Sequence, residues 1–308
     1  GWPPAYPAYT AGPVAANATR WSGSLLDLDL FSPNRDQRAS PFMPTRFLTA
    51  LPVYNAQAHV DTVLDQVVRH AGDVLVVDDG STDGTSDLLA ERQTRQGDIT
   101  VIRHATNRGY GAALATAFAT AIAPRPDGDH WDGLVTIDCD GQHQPQLIPS
   151  FIEAVGEPHQ PRVDIVSGSR YLRRFPGDSE APELRRQINQ QITAELNRRL
   201  GLSLTDAFCG FKAYSRRGLQ ALPVTETGYA MPLEVWVLAV AAGLKITELP
   251  VPLVYLDASR SFGGALDDAA TRLAHYREVL DHALRASGGG GTDGLEYGGG
   301  SVKTKADA

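Results

Sequence analysis

The strongest constraint on this chain is an alternation that begins near residue 47. Short runs rich in β-branched residues at 47–53, 74–77, 100–103, 134–137 and 164–167 are separated by stretches of helical patterning. Those stretches lie at 59–70, 83–95, 111–123 and from Pro145 to about 155. Apolar strands that each lead into a helix build a mostly parallel sheet covered on both faces. After residue 180 the pattern changes. A long helix is expected at 184–200, a short strand at 211–214, a helix at 231–242, an extended segment at 245–252 and a last helix from 267 to 284. The predicted class is α/β, with a first half at 44–165 and a second half at 166–285.

Outside that unit the patterning fades. Residues 1–43 carry six prolines and little apolar periodicity, which predicts an extended, disordered arm. Residues 286–308 include eight glycines between Ser287 and Ser301, the composition of a flexible tail. The 28 Lys and Arg against 36 Asp and Glu give a net charge of −8, so no nucleic-acid partner is expected. The cysteines, Cys139 and Cys209, form no CxxC pair, which excludes a disulfide framework and a thiolate zinc site and leaves packing as their expected role. The most apolar stretches, 112–123 and 235–244, fall short of the ~20 residues that a membrane span needs. The chain opens without Met or a charged leader, so the expectation is a protein of a reducing, cytoplasmic compartment that meets membranes only at their surface.

Ligands of open parallel sheets bind beyond the carboxyl ends of the strands, and the acidic clusters of this chain lie there. Residues 74–77 run into Asp78-Asp79-Gly80-Ser81-Thr82-Asp83-Gly84-Thr85. Ser81 and Asp83 suit helix caps. Asp79 is a candidate ligand-binding carboxylate, with capping as its alternative. Residues 134–137 run into Asp138-Cys139-Asp140-Gly141-Gln142-His143. In extended chain Asp138, Asp140 and Gln142 project to one side, three hard oxygen ligands suited to Mg²⁺ or Mn²⁺ with room left for phosphate oxygens. His143 suits a supporting place behind them. Asn107-Arg-Gly-Tyr-Gly111 imitates a dinucleotide fingerprint, but it follows the third strand and has Leu114 in place of the last glycine. That disfavours a dinucleotide site and leaves the helix start at Gly111 as a place for phosphate.

Taken in order, these motifs resemble family 2 glycosyltransferases of the GT-A fold, most closely the branch of dolichyl- and polyprenyl-phosphate mannose synthases. The resemblance runs from Pro52-Val-Tyr54-Asn55 through the two acidic clusters to Gly168-Ser169-Arg170-Tyr171. It continues through Asp206-Ala-Phe-Cys-Gly210-Phe211-Lys212 and Gly228-Tyr229 to Glu234, and ends at Glu248-Leu-Pro250-Val-Pro252. It implies a nucleotide-sugar half followed by an acceptor half. Pro52, Tyr54, Val77 and Asp79 would frame the base and ribose, with Cys139 also beside the nucleotide sugar. Asp138, Asp140 and Gln142 would hold the metal on the diphosphate, Arg170 would face phosphate, and Glu234 would lie near the transferred sugar. Two positions depart from the pattern. Ala56 stands where the family usually has Glu, and in the loop 255–264 Arg260 is the remaining cation.

The implied activity is metal-dependent, inverting transfer of a hexose, mannose favoured, from GDP-mannose or a UDP-hexose to a polyprenyl phosphate. Asp140, Arg170, Asp206 and Arg260 are the catalytic candidates. A lipid phosphate is already anionic and calls for cations such as Arg170 or Arg260. A hydroxyl acceptor would instead require a carboxylate base; Asp206 is that candidate, with structural pairing as its alternative. A sugar hydroxyl acceptor and a non-catalytic nucleotide-sugar-binding module are the rival readings.

Overall fold

A seven-stranded sheet organises the protein in a computed structural model that describes residues 45–157, 160–256 and 264–288. The arm at 1–43, residues 257–263 with Arg260, and the tail from 289 onward lie outside the described residues. β1 (Phe47–Val53) is central. It pairs in parallel with β2 (Asp73–Asp78) on one side and with β4 (Gly133–Thr136) on the other, and β2 pairs in parallel with β3 (Thr100–Arg103). β8 (Lys212–Ser215) is antiparallel to both β4 and β7 (Ile165–Ser169). β9 (Ile246–Pro250) then returns parallel to β7. The sheet order is thus β3-β2-β1-β4-β8-β7-β9, and the second half extends the sheet of the first.

The helices cover both faces. α1 (Val60–Val67), α2 (Thr85–Gln96) and α4 (Ile148–Val155) lie over one core; α3 (Tyr110–Ile122), α5 (Glu183–Leu200), α7 (Met231–Ala241) and α8 (Ala269–Ala286) lie over the other. Strand alternation feeds each core in turn. Val74 and Val76 join the first, whereas Leu75 and Val77 join the second. The expected strands and long helices are all present, with ends shifted by a few residues. The sequence reading omitted the β5 (Gly156–Glu157) and β6 (Gln160–Pro161) hairpin and the short α6 (Arg216–Gln220). Both are too short to carry a periodic signal.

Candidate active site

At the carboxyl ends of β1 and β4 the structure opens a cavity of about 220 Å³. Pro52, Tyr54 and Ala56 border it from the β1 loop, Asp138, Cys139, Asp140 and Gln142 from the segment after β4, and Arg170 from the end of β7. Loops that the sequence separates by more than 80 residues thus meet at one opening.

The β1 loop is fastened to the first acidic turn. Asn55 is in the left-handed region at φ 50°. Its N–H donates to Ser81 Oγ at 2.9 Å, and its Oδ1 accepts from the Thr82 N–H at 2.8 Å. Asp83 accepts from the Thr85 N–H at 2.9 Å and so satisfies the first amide of α2, although the N-cap position itself is Gly84. Ala56 is buried, and its N–H donates to Thr85 Oγ1 at 2.8 Å. Gly80, at φ 72°, is required by space as well, because a Cβ there would sit 2.4 Å from the Thr106 carbonyl carbon.

The Asp78–Asp79 pair differs from expectation. Both side chains are fully buried. Asp78 accepts from the Ser81 N–H and from the Ser86 hydroxyl. Asp79 contacts His104 Nδ1 at 2.6 Å and accepts from the N–H groups of Arg108 and Gly109 at 3.0 and 2.8 Å. Its carboxylate therefore lies at the start of α3, where the helix dipole favours an anion. Neither Asp79 nor Val77, which is buried in the core, lines the cavity. The same contacts correct the reading of Gly111 as a place for phosphate. Asp79 takes the amides ahead of it, and a Cβ at Gly111 would lie 2.3 Å from the Glu226 carbonyl oxygen.

The second acidic segment does face the cavity. Asp138 accepts from the Tyr110 hydroxyl at 2.8 Å, and His143 Nε2 lies 3.2 Å from its other oxygen. Asp140 accepts from the Gln142 N–H at 3.0 Å. Cys139, between them, is buried and packs into the core while bordering the cavity. Gly210 admits Asp138 against the backbone of the neighbouring segment, since a Cβ there would stand 2.2 Å from a carboxylate oxygen. Asp138, Asp140 and Gln142 thus share the cavity wall. Among the described residues no cluster of three or more His, Cys, Asp or Glu is placed to hold an ion. Two carboxylates and a carboxamide fit a hard divalent ion whose remaining positions go to water and phosphate oxygens.

Arg170 enters on a fixed mount. Its Nε and Nη2 donate to the two oxygens of Asp206 at 2.6 and 2.9 Å, and Asn189 Nδ2 donates to the same carboxylate at 2.9 Å. Asp206 is fully buried, which alone would raise its pKa; the charge and hydrogen bonds of Arg170 outweigh that and hold it at about 2. Burial lowers and Asp206 raises the Arg170 value, and the balance is upward. Asp206 is thereby a poor acceptor of a proton, and the structure favours its pairing role over that of a base. Arg170 uses two of its five N–H donors on this pair while its side chain borders the cavity.

Glu234 lies elsewhere. Its carboxylate accepts from the Thr225 N–H and hydroxyl and from the Glu226 N–H, at 2.6 to 2.8 Å, and it borders a separate recess beside α8. Pro232, two positions earlier on α7, does line the cavity. Two residues turn a helix through about 200°, which sends Glu234 to the opposite side.

Several cavity residues were given no role by the sequence reading, although Tyr110 and Tyr229 lie inside its motifs. These two rings stack with centroids 5.7 Å apart. Arg185 comes from α5, and Arg272 and Tyr276 come from α8. Arg272 is buried and donates to the Leu266 carbonyl at 2.6 Å. Spaced four apart on an amphipathic helix, Arg272 and Tyr276 carry no motif that separates them from ordinary core and surface positions.

Known proteins resemble this chain over most of its length. An undecaprenyl-phosphate mannosyltransferase from Micrococcus luteus is 31% identical over 241 residues, 75% of this chain and 93% of that one. A polyprenol monophosphomannose synthase from Mycolicibacterium smegmatis is 29% identical over 251 residues, 77% of this chain and 90% of that one. Among solved structures, glucosyl-3-phosphoglycerate synthase from Mycobacterium tuberculosis, in complex with Mg²⁺ and uridine diphosphate, matches with a TM-score of 0.56 at 20% identity and covers 82% of each chain. That likeness is one of fold, the GT-A arrangement. The family described as Glycosyl transferase family 2 matches residues 49–222. With the identity to the Micrococcus luteus enzyme, this match makes the chain a glycosyltransferase that belongs to family 2.

Proposed function

We propose that this glycosyltransferase moves a hexose, mannose favoured, from a nucleotide sugar to a polyprenyl phosphate. The observation that carries the reading is the make-up of one cleft. Asp138, Asp140 and Gln142 line it together with Arg170, Arg185, Arg272 and several aromatic side chains. The names of the two relatives, an undecaprenyl-phosphate mannosyltransferase and a polyprenol monophosphomannose synthase, support the acceptor class.

In this reading Asp138, Asp140 and Gln142 would hold Mg²⁺ or Mn²⁺, and Tyr110 and His143 orient Asp138. An ion bound there would supply positive charge against the departing diphosphate. Pro52, Tyr54 and Cys139 flank the nucleotide sugar. Asp79 and Val77 act from behind, the first by fixing the turn before α3 and the second by packing the sheet. Arg170, held by Asp206, offers its remaining donors to a phosphate. The acceptor phosphate attacks the anomeric carbon from the face opposite the leaving group, which inverts the configuration. Such a nucleophile is already anionic, so a carboxylate held at about 2 is no obstacle. A hydroxyl acceptor would need a base, and Asp206, the candidate for it, is the residue whose proton affinity the Arg170 pair suppresses. Arg260 is assigned to acceptor or donor phosphate on the resemblance alone.

The test is a transfer screen across GDP- and UDP-sugars with Mn²⁺ or Mg²⁺, with polyprenyl phosphate present or omitted. The reading expects metal-dependent labelling of the lipid with a mannosyl donor. Labelling of a sugar hydroxyl in place of the lipid would overturn it, and donor binding without turnover would favour a non-catalytic module.

A further inference from the structure

Among the described residues three large apolar side chains stand exposed: Leu172 at 45%, Leu184 at 61% and Leu256 at 47%. Each is the sequence neighbour of a residue that lines the cleft, namely Tyr171, Arg185 and Tyr255. A lone exposed leucine needs no explanation. Three around one mouth do.

The segments that carry them are tied together. The Ser179 N–H donates to the Leu253 carbonyl at 2.7 Å, and the Tyr255 N–H donates to Ser179 Oγ at 3.1 Å. Asp178 accepts from the N–H groups of Phe175 and Leu253 at 2.8 and 2.9 Å. Leu256 reaches over the acidic loop, where a Cβ on Gly141 would lie 3.2 Å from its Cδ1. The rim thus runs from the Arg170 segment to the metal-binding side of the cleft.

Its charge runs against that of the whole chain. Residues 170–186 hold five arginines and three carboxylates, in a protein of net charge −8. Asp178 is engaged by backbone amides, and Glu183 pairs with Arg186 at 2.8 Å. Arg174 is exposed, as is Glu180, and the Arg173 guanidinium lies 5.0 Å from the centre of the Phe175 ring. Leucines flanked by guanidinium groups match an anionic bilayer, in which apolar tips enter the acyl boundary and arginines meet lipid phosphates.

We propose that Leu172, Leu184 and Leu256, with Arg173 and Arg174, form a docking surface for an anionic lipid bilayer that presents the cleft mouth to the membrane plane. The inference rests on the reading that the acceptor is a polyprenyl phosphate, a lipid whose phosphate lies at headgroup level. No helix among the described residues is long and apolar enough to cross a membrane.

The test sediments the full chain with phosphatidylcholine vesicles and with vesicles containing phosphatidylglycerol, both free of polyprenyl phosphate. Binding is expected to the anionic vesicles alone and to weaken with salt. The variant Arg173→Gln/Arg174→Gln should bind about 25-fold more weakly, about fivefold per arginine. Leu172→Ser/Leu184→Ser should lose at least roughly tenfold through the lost apolar contact. Both variants should transfer sugar to a detergent-dispersed short-chain polyprenyl phosphate at the wild-type rate. Wild-type protein that ignores anionic vesicles, or variants that bind them as wild type does, would overturn the proposal. A concentration-dependent dimer that the leucine changes abolish, without vesicle binding, would also overturn it by giving the rim to a second copy. Vesicle binding with these sensitivities but no transfer in detergent would count against the acceptor reading alone.

Discussion

Arg170 and Asp206 meet through two side-chain hydrogen bonds and a third from the Arg170 N–H, with Asp206 fully buried and the Arg170 side chain 19% exposed. Removing the carboxylate leaves a cation without its partner, so Asp206→Ala should cost about 3 kcal/mol of stability by denaturant unfolding. Folding lowers the Asp206 pKa from the usual ~3.9 to about 2. A carboxylate lowered in this way stabilises the fold at pH values above its unfolded pKa and loses that contribution as the pH falls. The wild-type advantage over Asp206→Ala should therefore stay level through the neutral range and shrink between about pH 4 and pH 2, as urea melts across that window would measure. A second prediction concerns Asp140, whose carboxylate borders the cavity. Asp140→Ala should remove the Mn²⁺-dependent part of nucleotide affinity in calorimetry while the melting temperature stays within a few degrees. Both acids stood out in the sequence, Asp140 by its spacing and Asp206 by its motif. The pairing of Asp206 with Arg170 was not legible, because it joins residues 36 apart through the adjacency of β7 and β8.

At the scale of elements, the turn after β2 shows where local reading reaches its limit. The sequence placed two carboxylates at the end of a buried strand, and the structure agrees. Their direction depends on α3, whose start arrives some 30 residues later and brings the Arg108 and Gly109 amides to Asp79. Asp79→Asn should therefore lower global stability by ~1–3 kcal/mol, the cost of weakening charge-assisted bonds to buried amides. Nucleotide affinity at a temperature where both proteins are folded should change less than threefold. A large loss of affinity with unchanged stability would restore Asp79 to direct nucleotide contact. The strands and long helices were legible because a fully covered parallel sheet leaves continuous apolar runs between amphipathic helices. Glu234 was misplaced because a motif gives the helix but not the side that each residue faces. α8 was legible as a helix, whereas its delivery of Arg272 and Tyr276 to the cleft depends on packing against α5 and α7.

For the molecule as a whole, one sheet carries both the acidic segment after β4 and Arg170 after β7, while α5 and α8 add Arg185 and Arg272 to the same cleft. Strand β8 makes this possible. It runs antiparallel between β4 and β7 and sets Gly210 against Asp138 on one side while the Asp206 turn receives Arg170 on the other. The sequence showed the two halves but not their order in the sheet, since a four-residue strand gives no sign of its neighbours. In the proposed reaction the cleft joins a sugar to a phosphate carried by a lipid, with inversion at the anomeric carbon. The most direct measurement is the structure of the product, taken from a reaction of α-configured GDP-mannose with polyprenyl phosphate and Mn²⁺, by mass spectrometry and ¹H and ³¹P NMR. The expected product is a mannosyl phosphodiester of the lipid in the β configuration. A product linked through a hydroxyl oxygen, or a phosphodiester that retains the α configuration, would contradict it.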